Sequence, residues 1–262
     1  MLFVVDVGNS HTVSGVYLKD QLIANWRLQS NQDRTADELA IRYNALFQMA
    51  GIELKDIQGF IVSSVVPTLE TSWIDFAQSY LMTSFSPLAV NHSLNLNGLT
   101  IKLANPAEAG ADRLVNAVAA WQRYHASLIV VDFGTAITFD CVSSQMEYLG
   151  GTIHPGIGIS LDALASRTAK LPRLDIDVTP ENPIGTSTVQ AIHSGMLYGF
   201  GGLIDRMVEV LGREMEPEGK HLHVIATGGM GRLIQPYAHS IEVTDEHLTL
   251  KGLKLLFQLN KD

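Results

Sequence analysis

The sequence predicts an α/β protein made of two copies of one substructure, a mixed β-sheet with flanking helices. The first observation is an internal repeat: Val4–Ser10 (VVDVGNS) recurs as Val130–Ala136 (VVDFGTA) about half a chain length later. The second is that both copies continue into two further strand patterns. The third is that helical patterns follow the strand patterns in each half, which is typical of helices packed on mixed sheets.

The first half is predicted to open with three successive strands, because apolar and β-branched residues fill them and the Asp-x-Gly sequence allows a tight turn after the first. Thr35 and Glu38 form a capping-box pattern, which predicts a helix start. Pro67 stops a buried-strand run, and further helices follow it. The predicted strands are Leu2–Val5, Thr12–Leu18, Leu22–Arg27 and Phe60–Val66, and the later helices are Leu69–Leu81 and Ala109–Tyr124.

The second half is predicted to repeat this order. Its predicted strands are Leu128–Val131, Ile137–Val142, Tyr148–Ile153 and His223–Ala226, and its predicted helices are Val189–Leu211 and Leu248–Leu259. Three prolines indicate that Lys170–Pro183 is a surface loop. We therefore expect a first domain at residues 1–117 and a second at 118–262, with the C-terminal helix as a candidate to pack back on the first.

The composition limits the classes of function. Hydrophobic residues make up 46% of the 262 and charged residues 17%, which is typical of a globular protein. The net charge of −9 disfavours nucleic acid as a partner, and no apolar run approaches the roughly 20 residues of a membrane span. The single cysteine, Cys141, excludes an internal disulfide. We expect a soluble protein in a reducing cytoplasm.

The two repeated motifs, here named hairpin 1 (Asp6–Ser10) and hairpin 2 (Asp132–Ala136), predict a nucleotide site. A strand that turns back directly after Asp-x-Gly presents successive backbone N–H groups, which suit phosphate oxygens. Asn9 and Thr12 add side-chain donors, and the Asp6 carboxylate can hold a magnesium ion. One such motif alone is equally typical of an ordinary hairpin turn. Two of them can hold the phosphates of one nucleotide from both sides.

Three further segments are candidates for the same site. Thr227-Gly228-Gly229 follows a short strand, and its glycines allow the backbone to approach a flat adenosine. The order phosphate, phosphate, adenosine matches the actin-like (ribonuclease H-like) superfamily, in which the ATP cleft lies between two duplicated domains. Asp112 and Arg113 at a helix start offer a base and an anion clamp, or simply open the helix. Gly150–Gly156 either walls a pocket or forms a loop.

Competing motifs are absent from the sequence. It contains no P-loop, no Gly-x-Gly-x-x-Gly and no Gly-x-Ser-x-Gly elbow. His221 and His223 alternate on a predicted strand, but no Cys or Glu stands at ligand spacing from them. We interpret them as surface residues. His154 and His193 are candidates to line a site, although an ordinary polar role is the simpler interpretation.

The motifs, in this order, resemble the type III pantothenate kinases, and the resemblance runs from residue 2 to about 230. It is carried by both hairpins, by Asn105-Pro106 leading to Gly110–Asn116, by Gly150–Gly156, Ala169–Pro172, Gly185, Thr188 and Ser194-Gly195, and by Thr227-Gly228-Gly229. The resemblance implies ATP-dependent phosphorylation of pantothenate to 4′-phosphopantothenate, the first step of coenzyme A synthesis. It also implies a cytoplasmic homodimer with substrate bound near the subunit interface.

The resemblance implies a role for each matched position. Asp112 is the proton acceptor, Asp132 binds a monovalent cation (potassium or ammonium), and Asp6 binds magnesium. The implied ATP-binding residues are Asp6, Val7, Gly8, Asn9, Ser10, His11, Thr12, Val13, Thr135, Gly228 and Gly229. The implied substrate-binding residues are Leu103, Gly110, Ala111, Asp112, Arg113 and Thr188.

The departures from the family pattern fall mainly on positions that the resemblance assigns to pantothenate, the phosphoryl acceptor. Leu103 stands where many members carry a substrate-contacting Tyr, and Thr186 and Ser187 replace the more usual Lys/Arg-Asn before Thr188. Ser10 replaces a Thr and keeps the hydroxyl. Two alternatives stay open: a non-catalytic regulatory or partner-binding protein that keeps the ATP fold, and a hydrolase of the exopolyphosphatase type.

Overall fold

The computed structural model describes residues 1–81, 83–175 and 182–261, in two units. Unit 1 comprises Met1–Arg123 and His247–Asp262, and unit 2 comprises Tyr124–Glu246. The strands are β1 (Leu2–Val7), β2 (His11–Leu18), β3 (Gln21–Gln29), β4 (Gly59–Ser64), β5 (Leu88–Ala89), β6 (Thr100–Ile101), β7 (Leu128–Phe133), β8 (Ala136–Val142), β9 (Glu147–Pro155), β10 (His223–Gly228) and β11 (Val243–Thr244). The helices are α1 (Ala36–Met49), α2 (Pro67–Tyr80), α3 (Ala111–Tyr124), α4 (Ile157–Ser166), α5 (Thr188–Met215), α6 (Gly231–Ile234) and α7 (Leu248–Asn260).

The sheet of unit 1 has the strand order β3-β2-β1-β4-β5. The pairs β1–β2 and β2–β3 are antiparallel, while β1–β4 and β4–β5 are parallel. The central strand β1 buries three consecutive apolar residues, Phe3, Val4 and Val5, as expected for a strand covered on both faces. The edge strand β3 instead alternates exposed and half-buried positions, so one of its faces meets solvent.

The helices of unit 1 enclose an aromatic core. Helix α1 begins as predicted, because Thr35 Oγ1 accepts from Glu38 N at 3.3 Å and Glu38 Oε2 accepts from Thr35 N at 2.9 Å. Pro67 occupies the first turn of α2, where its missing N–H costs nothing. Helix α7 lies against β1 and β4. The core contains Phe3, Tyr43, Phe47, Phe60, Trp73 and Phe76.

The sheet of unit 2 repeats the arrangement of unit 1. Its strand order is β9-β8-β7-β10-β11, with β7–β8 and β8–β9 antiparallel and β7–β10 and β10–β11 parallel. The two antiparallel and two parallel pairings thus occur in the same order in both units. This common topology gives the sequence repeat a structural counterpart, and the predicted α/β fold with two mixed sheets and flanking helices is confirmed.

The core of unit 2 lies between its sheet and α5. Helix α5 buries Leu197 and Ile204, which pack with Phe139 of β8 and Ala226 of β10. Gly201 lets α5 approach the 3₁₀ turn Gln235–Tyr237, since a Cβ at this position would lie 2.1 Å from the Tyr237 carbonyl oxygen. Cys141 is buried in β8, as predicted.

The predicted elements are confirmed, with ends that shift by a few residues. The prediction that the strand beginning near Phe60 runs to Val66 is wrong at its end. It stops at Ser64, whose hydroxyl accepts from Val66 N at 3.1 Å and donates to Val66 O at 2.9 Å. Such local bonds compete with the ladder bonds of a sheet. The predicted loop Lys170–Pro183 lies partly outside the described residues. None of the described helices has the length and apolar character that a bilayer span requires.

Candidate active site

Hairpin 1 connects β1 to β2 in unit 1 by a tight turn. Gly8 N donates to His11 O at 3.0 Å, and Val7 pairs with Thr12. Asn9 and His11 are exposed at the tip, whereas Asp6 is half-buried. The turn therefore carries the residues predicted for phosphate binding on one short segment, with polar groups at its open end.

A loop that the sequence analysis did not single out supports this turn. Ser30 Oγ donates to Gly8 O at 2.7 Å and lies 2.9 Å from Thr12 Oγ1, and Ser30 N donates to Ser10 O at 2.9 Å. The end of β3 and the loop after it line an open groove of about 300 Å³, through Gln29, Ser30, Asn31, Gln32 and Arg34. Ser30 is about 20 residues from the turn, and no sequence motif marks the pairing.

Arg34 gives this groove a positive charge. Burial lowers the pKa of the Arg34 guanidinium, with a further contribution from the neighbouring charge of Arg42. The side chain stays cationic, because the pKa of an arginine is so high that this group remains protonated in proteins. A partly desolvated cation beside hairpin 1 favours an anionic group in the groove.

The oxygen groups near Asp6 fit a magnesium ion. In the parallel pairing of β1 with β4, Asp6 is in register with Ser63. The Ser63 hydroxyl is buried and has no hydrogen-bond partner among the described residues. Carboxylate, hydroxyl and water oxygens are the ligands that magnesium prefers. A buried hydroxyl without a partner is costly, so Ser63 is a second candidate contact that the sequence did not reveal.

Hairpin 2 lies in unit 2 against the predicted adenosine segment. Gly134 N donates to Ala136 O at 3.0 Å, and Thr227 and Gly228 pair with Asp132 and Phe133. Gly228 has a φ of +85°, and a Cβ at this position would lie 2.6 Å from Asp132 Oδ1. The structure thus brings hairpin 2 and Thr227-Gly228-Gly229 together, although they are about 95 residues apart.

The glycine-rich segment Gly150–Gly156 lies in β9 except for Gly156, and this last glycine contacts hairpin 2. Gly156 N donates to Thr135 O at 3.1 Å, and a Cβ at Gly156 would lie 2.3 Å from that carbonyl oxygen. The segment therefore forms part of a wall beside hairpin 2, and not a detached loop. Because Gly228 has no side chain, the end of β10 approaches the Asp132 carboxylate closely.

Asp112 and Arg113 lie in the first turn of α3 in unit 1. Asp112 Oδ1 accepts from Arg113 N at 2.8 Å, which satisfies one of the free N–H groups of the helix start. Burial raises the pKa of the Asp112 carboxyl, and the Arg113 backbone N–H and guanidinium lower it by a smaller amount. A carboxylate with a raised pKa is better matched to accepting a proton near neutral pH than an ordinary one.

Gly110 controls where the Asp112 carboxylate lies. A Cβ at Gly110 would be 2.7 Å from Asp112 Oδ1 and 3.5 Å from Arg113 Cγ. Any side chain at position 110 would therefore displace the carboxylate. The helix itself is held by α7: Thr249 Oγ1 donates to Asn116 Oδ1 at 2.8 Å, and a Cβ at Gly252 would lie 2.5 Å from Val115 O. Asp112 thus stands on a firmly packed element.

The other two residues predicted to bind substrate lie elsewhere in the chain. Leu103 is half-buried in the segment before α3, in unit 1. Thr188 is the exposed first residue of α5 in unit 2, after the N-cap Ser187. Their roles stay predictions.

The duplicated topology, with a hairpin at the same place in each unit, is the fold that the sequence predicts for the actin-like class. A family model described as type III pantothenate kinase matches residues 2–210. The type III pantothenate kinase of Desulfotalea psychrophila is 48% identical over 263 residues, covering 100% of this chain and 99% of that protein. That of Geotalea uraniireducens is 44% identical, with full coverage of both chains. The chain belongs to the type III pantothenate kinase family.

Solved structures of distant sequence share the fold. A Baf family protein from Campylobacter jejuni, described as a transcriptional activator, is 18% identical, with a TM-score of 0.56 and 98% coverage of both chains. A protein from Sinorhizobium meliloti described as a 2-dehydro-3-deoxygalactonokinase is 13% identical, also at a TM-score of 0.56, covering 99% of this chain and 96% of that one. At these identities the likeness concerns the fold alone.

Proposed function

We propose that this chain transfers the γ-phosphoryl group of ATP to the primary hydroxyl of pantothenate and forms 4′-phosphopantothenate, the first committed intermediate of coenzyme A synthesis. Family membership over the full chain length supports the reaction and its substrate. The single structural observation that carries the mechanism is the Asp112 carboxylate, which has a raised pKa and lies beside Arg113 at the start of a helix.

Asp112 acts as the proton acceptor in this mechanism. The hydroxyl oxygen of pantothenate attacks the γ-phosphorus, the bond from that phosphorus to the β–γ bridging oxygen breaks, and ADP leaves. The hydroxyl proton passes to the Asp112 carboxylate. Arg113 offers a guanidinium that can bind an anionic group of the acceptor or the transferring phosphoryl group. In phosphoryl transfer, such positioning and charge stabilisation account for most of the rate enhancement.

Each unit carries its own set of proposed nucleotide contacts. In unit 1, residues 6–13 bind ATP phosphates, and Asp6 with Ser63 holds a magnesium ion directly or through its waters. When bound, this ion neutralises charge on the phosphate oxygens. In unit 2, Thr135 contacts phosphate and Gly228-Gly229 contact adenosine. Asp132 holds a potassium or ammonium ion.

The proposed pantothenate contacts are Gly110–Arg113 and Leu103 in unit 1 and Thr188 in unit 2. Leu103 offers an apolar contact where a tyrosine hydroxyl is common in the family, and Thr188 offers a hydroxyl. We further propose a cytoplasmic homodimer as the active form. Size-exclusion chromatography with light scattering tests the assembly: a species of twice the chain mass of 28.6 kDa is expected, and a monomer at assay concentration would contradict the proposal.

A coupled assay of ADP formation tests the reaction. ADP release should require pantothenate, and it should increase when potassium or ammonium replaces sodium. Phosphate release without pantothenate would instead support a hydrolase, and ATP binding without turnover would support a regulatory protein. Mass-spectrometric detection of 4′-phosphopantothenate identifies the product.

A further inference from the structure

Two histidines and a glutamate converge at the start of β10 in unit 2. His223 is the first residue of β10, His221 lies two residues before it, and Glu242 directly precedes β11. Strand β11 pairs with β10 in parallel, and Glu242 N donates to Val224 O at 3.0 Å. This pairing brings the Glu242 carboxylate to both imidazoles. The sequence interpretation of the histidines as surface residues did not include this carboxylate, because it comes from a neighbouring strand.

The donor atoms of this cluster (His221, His223 and Glu242) are close enough to share one ion. His221 Nε2 lies 3.2 Å from Glu242 Oε1, and His223 Nδ1 lies 2.8 Å from Glu242 Oε2. One ligand atom from each residue lies within 4.8 Å of the others. Ligands about 2.0–2.1 Å from a tetrahedral zinc ion are about 3.3–3.5 Å apart. Small side-chain movements would bring the cluster to this geometry.

We propose that His221, His223 and Glu242 form a binding site for a divalent transition-metal ion of the zinc class. Imidazole nitrogens and one carboxylate select zinc, cobalt or nickel over magnesium and calcium, which prefer oxygen ligands alone. Three protein ligands leave a fourth position for water. This site is separate from the oxygen-lined positions at Asp6 and Asp132.

Two of the three groups are held in place before a metal binds. The His223 ring packs against Tyr124 with ring centroids 4.5 Å apart, and its side chain is only 26% exposed. Glu242 is fixed by the bond from its backbone N–H to β10. The side chain of His221 is 70% exposed, so it has room to change rotamer and complete the site. Its ring is nearly perpendicular to that of His223, at 88°, and the two centroids are 4.7 Å apart. Surface ion pairs alone contribute little to stability, so they do not explain why both imidazoles contact one carboxylate.

The position of the cluster assigns the metal a structural role. His223 and Gly228 are the first and last residues of β10, and a strand advances about 3.3 Å per residue, so the cluster is about 17 Å along the strand from the proposed adenosine segment. A bound ion would tie the edge strand β11 to β10. Because it binds the folded chain, it would raise the unfolding temperature by about 5–10 °C when present at about one hundred times its Kd.

Titration of the tag-free full chain with cobalt, followed by zinc competition, tests the site in buffer with excess magnesium. The variants are His223→Gln and Glu242→Gln, and the control is His92→Gln, which removes an exposed histidine from unit 1. Wild type and the control should bind one equivalent and show the thermal shift. Both cluster variants should lose at least about tenfold in affinity.

Either of two results would overturn the proposal: no stoichiometric binding by wild type, or a loss below tenfold in both cluster variants. Glu242→Gln is an exposed, nearly isosteric change, so its folding is expected to be intact and is checked by its urea midpoint.

Discussion

Substituting Gly228 by alanine should damage both the stability of unit 2 and its proposed nucleotide site. Gly228 has a φ of +85°, which an alanine adopts only with strain. The new Cβ would lie 2.6 Å from Asp132 Oδ1 and 2.7 Å from the backbone N and C of Phe133. The backbone atoms cannot move aside as a flexible side chain can, so either β10 or hairpin 2 must shift.

The expected loss in the free energy of unfolding has two parts. A left-handed conformation costs an L-residue about 1–2 kcal/mol, and an overpacked methyl group costs about 1–3 kcal/mol. The free energy of unfolding should therefore fall by about 2–5 kcal/mol. A displacement of about 1 Å at the Asp132 carboxylate should lower kcat/KM by about 100-fold.

Urea unfolding and steady-state kinetics measure these two effects. Gly202→Ala is the matched control: Gly202 is exposed within α5, and a Cβ there would meet no atom within 4 Å. That control should gain about 0.5–1 kcal/mol, because alanine is the better helix residue. A Gly228→Ala variant with the urea midpoint and the kcat/KM of wild type would refute the reasoning.

Three further predictions concern unit 1. Ser30→Ala removes the side-chain hydrogen bonds to Gly8 O and Thr12 Oγ1, so it should lower the free energy of unfolding by about 1–3 kcal/mol and weaken ATP binding in calorimetry. The control Ser72→Ala removes one long, exposed hydrogen bond and should change neither quantity. Gly110→Ala should lower kcat more than ATP affinity, and an unchanged kcat would contradict the predicted displacement of Asp112 Oδ1. The acid limb of the pH profile of kcat/KM should lie above the ordinary aspartate pKa, because burial raises the pKa of Asp112 and only its ionised carboxylate accepts a proton. An acid limb at or below pH 3.8 would contradict this prediction.

Local patterns predicted most of the elements correctly. The repeat of Asp-x-Gly between apolar runs predicted both hairpins, and Thr35 with Glu38 predicted the start of α1. These features depend on residues close in the chain. The short strands β5, β6 and β11 were missed, since two residues carry no periodicity.

Contacts between distant residues account for what the sequence did not reveal. Ser30 supports hairpin 1 from the end of β3, and Ser63 comes into register with Asp6 only through the parallel pairing of β1 and β4. Glu242 joins His223 only through the pairing of β11 with β10. No spacing rule connects such residues in a single sequence. The roles predicted for Leu103 and Thr188 rest on family resemblance.

The stability of Asp112→Asn separates a catalytic role of this residue from a structural one. Burial raises the pKa of Asp112 in the folded chain, so the stability that this group contributes is present at low pH and is lost as the pH increases through the raised pKa. Above that pH the desolvated, ionised carboxylate lowers the stability of the folded chain. A neutral asparagine should leave the unfolding temperature unchanged or higher, whereas a purely structural aspartate would lower it.

The most direct test of the central claim is the turnover number of Asp112→Asn with ATP and pantothenate, measured beside its ATP affinity. Loss of a general base predicts a fall in kcat of about 100-fold to 10,000-fold, with ATP binding close to that of wild type. An asparagine variant that phosphorylates pantothenate at the wild-type rate would contradict the assignment of Asp112 as the proton acceptor.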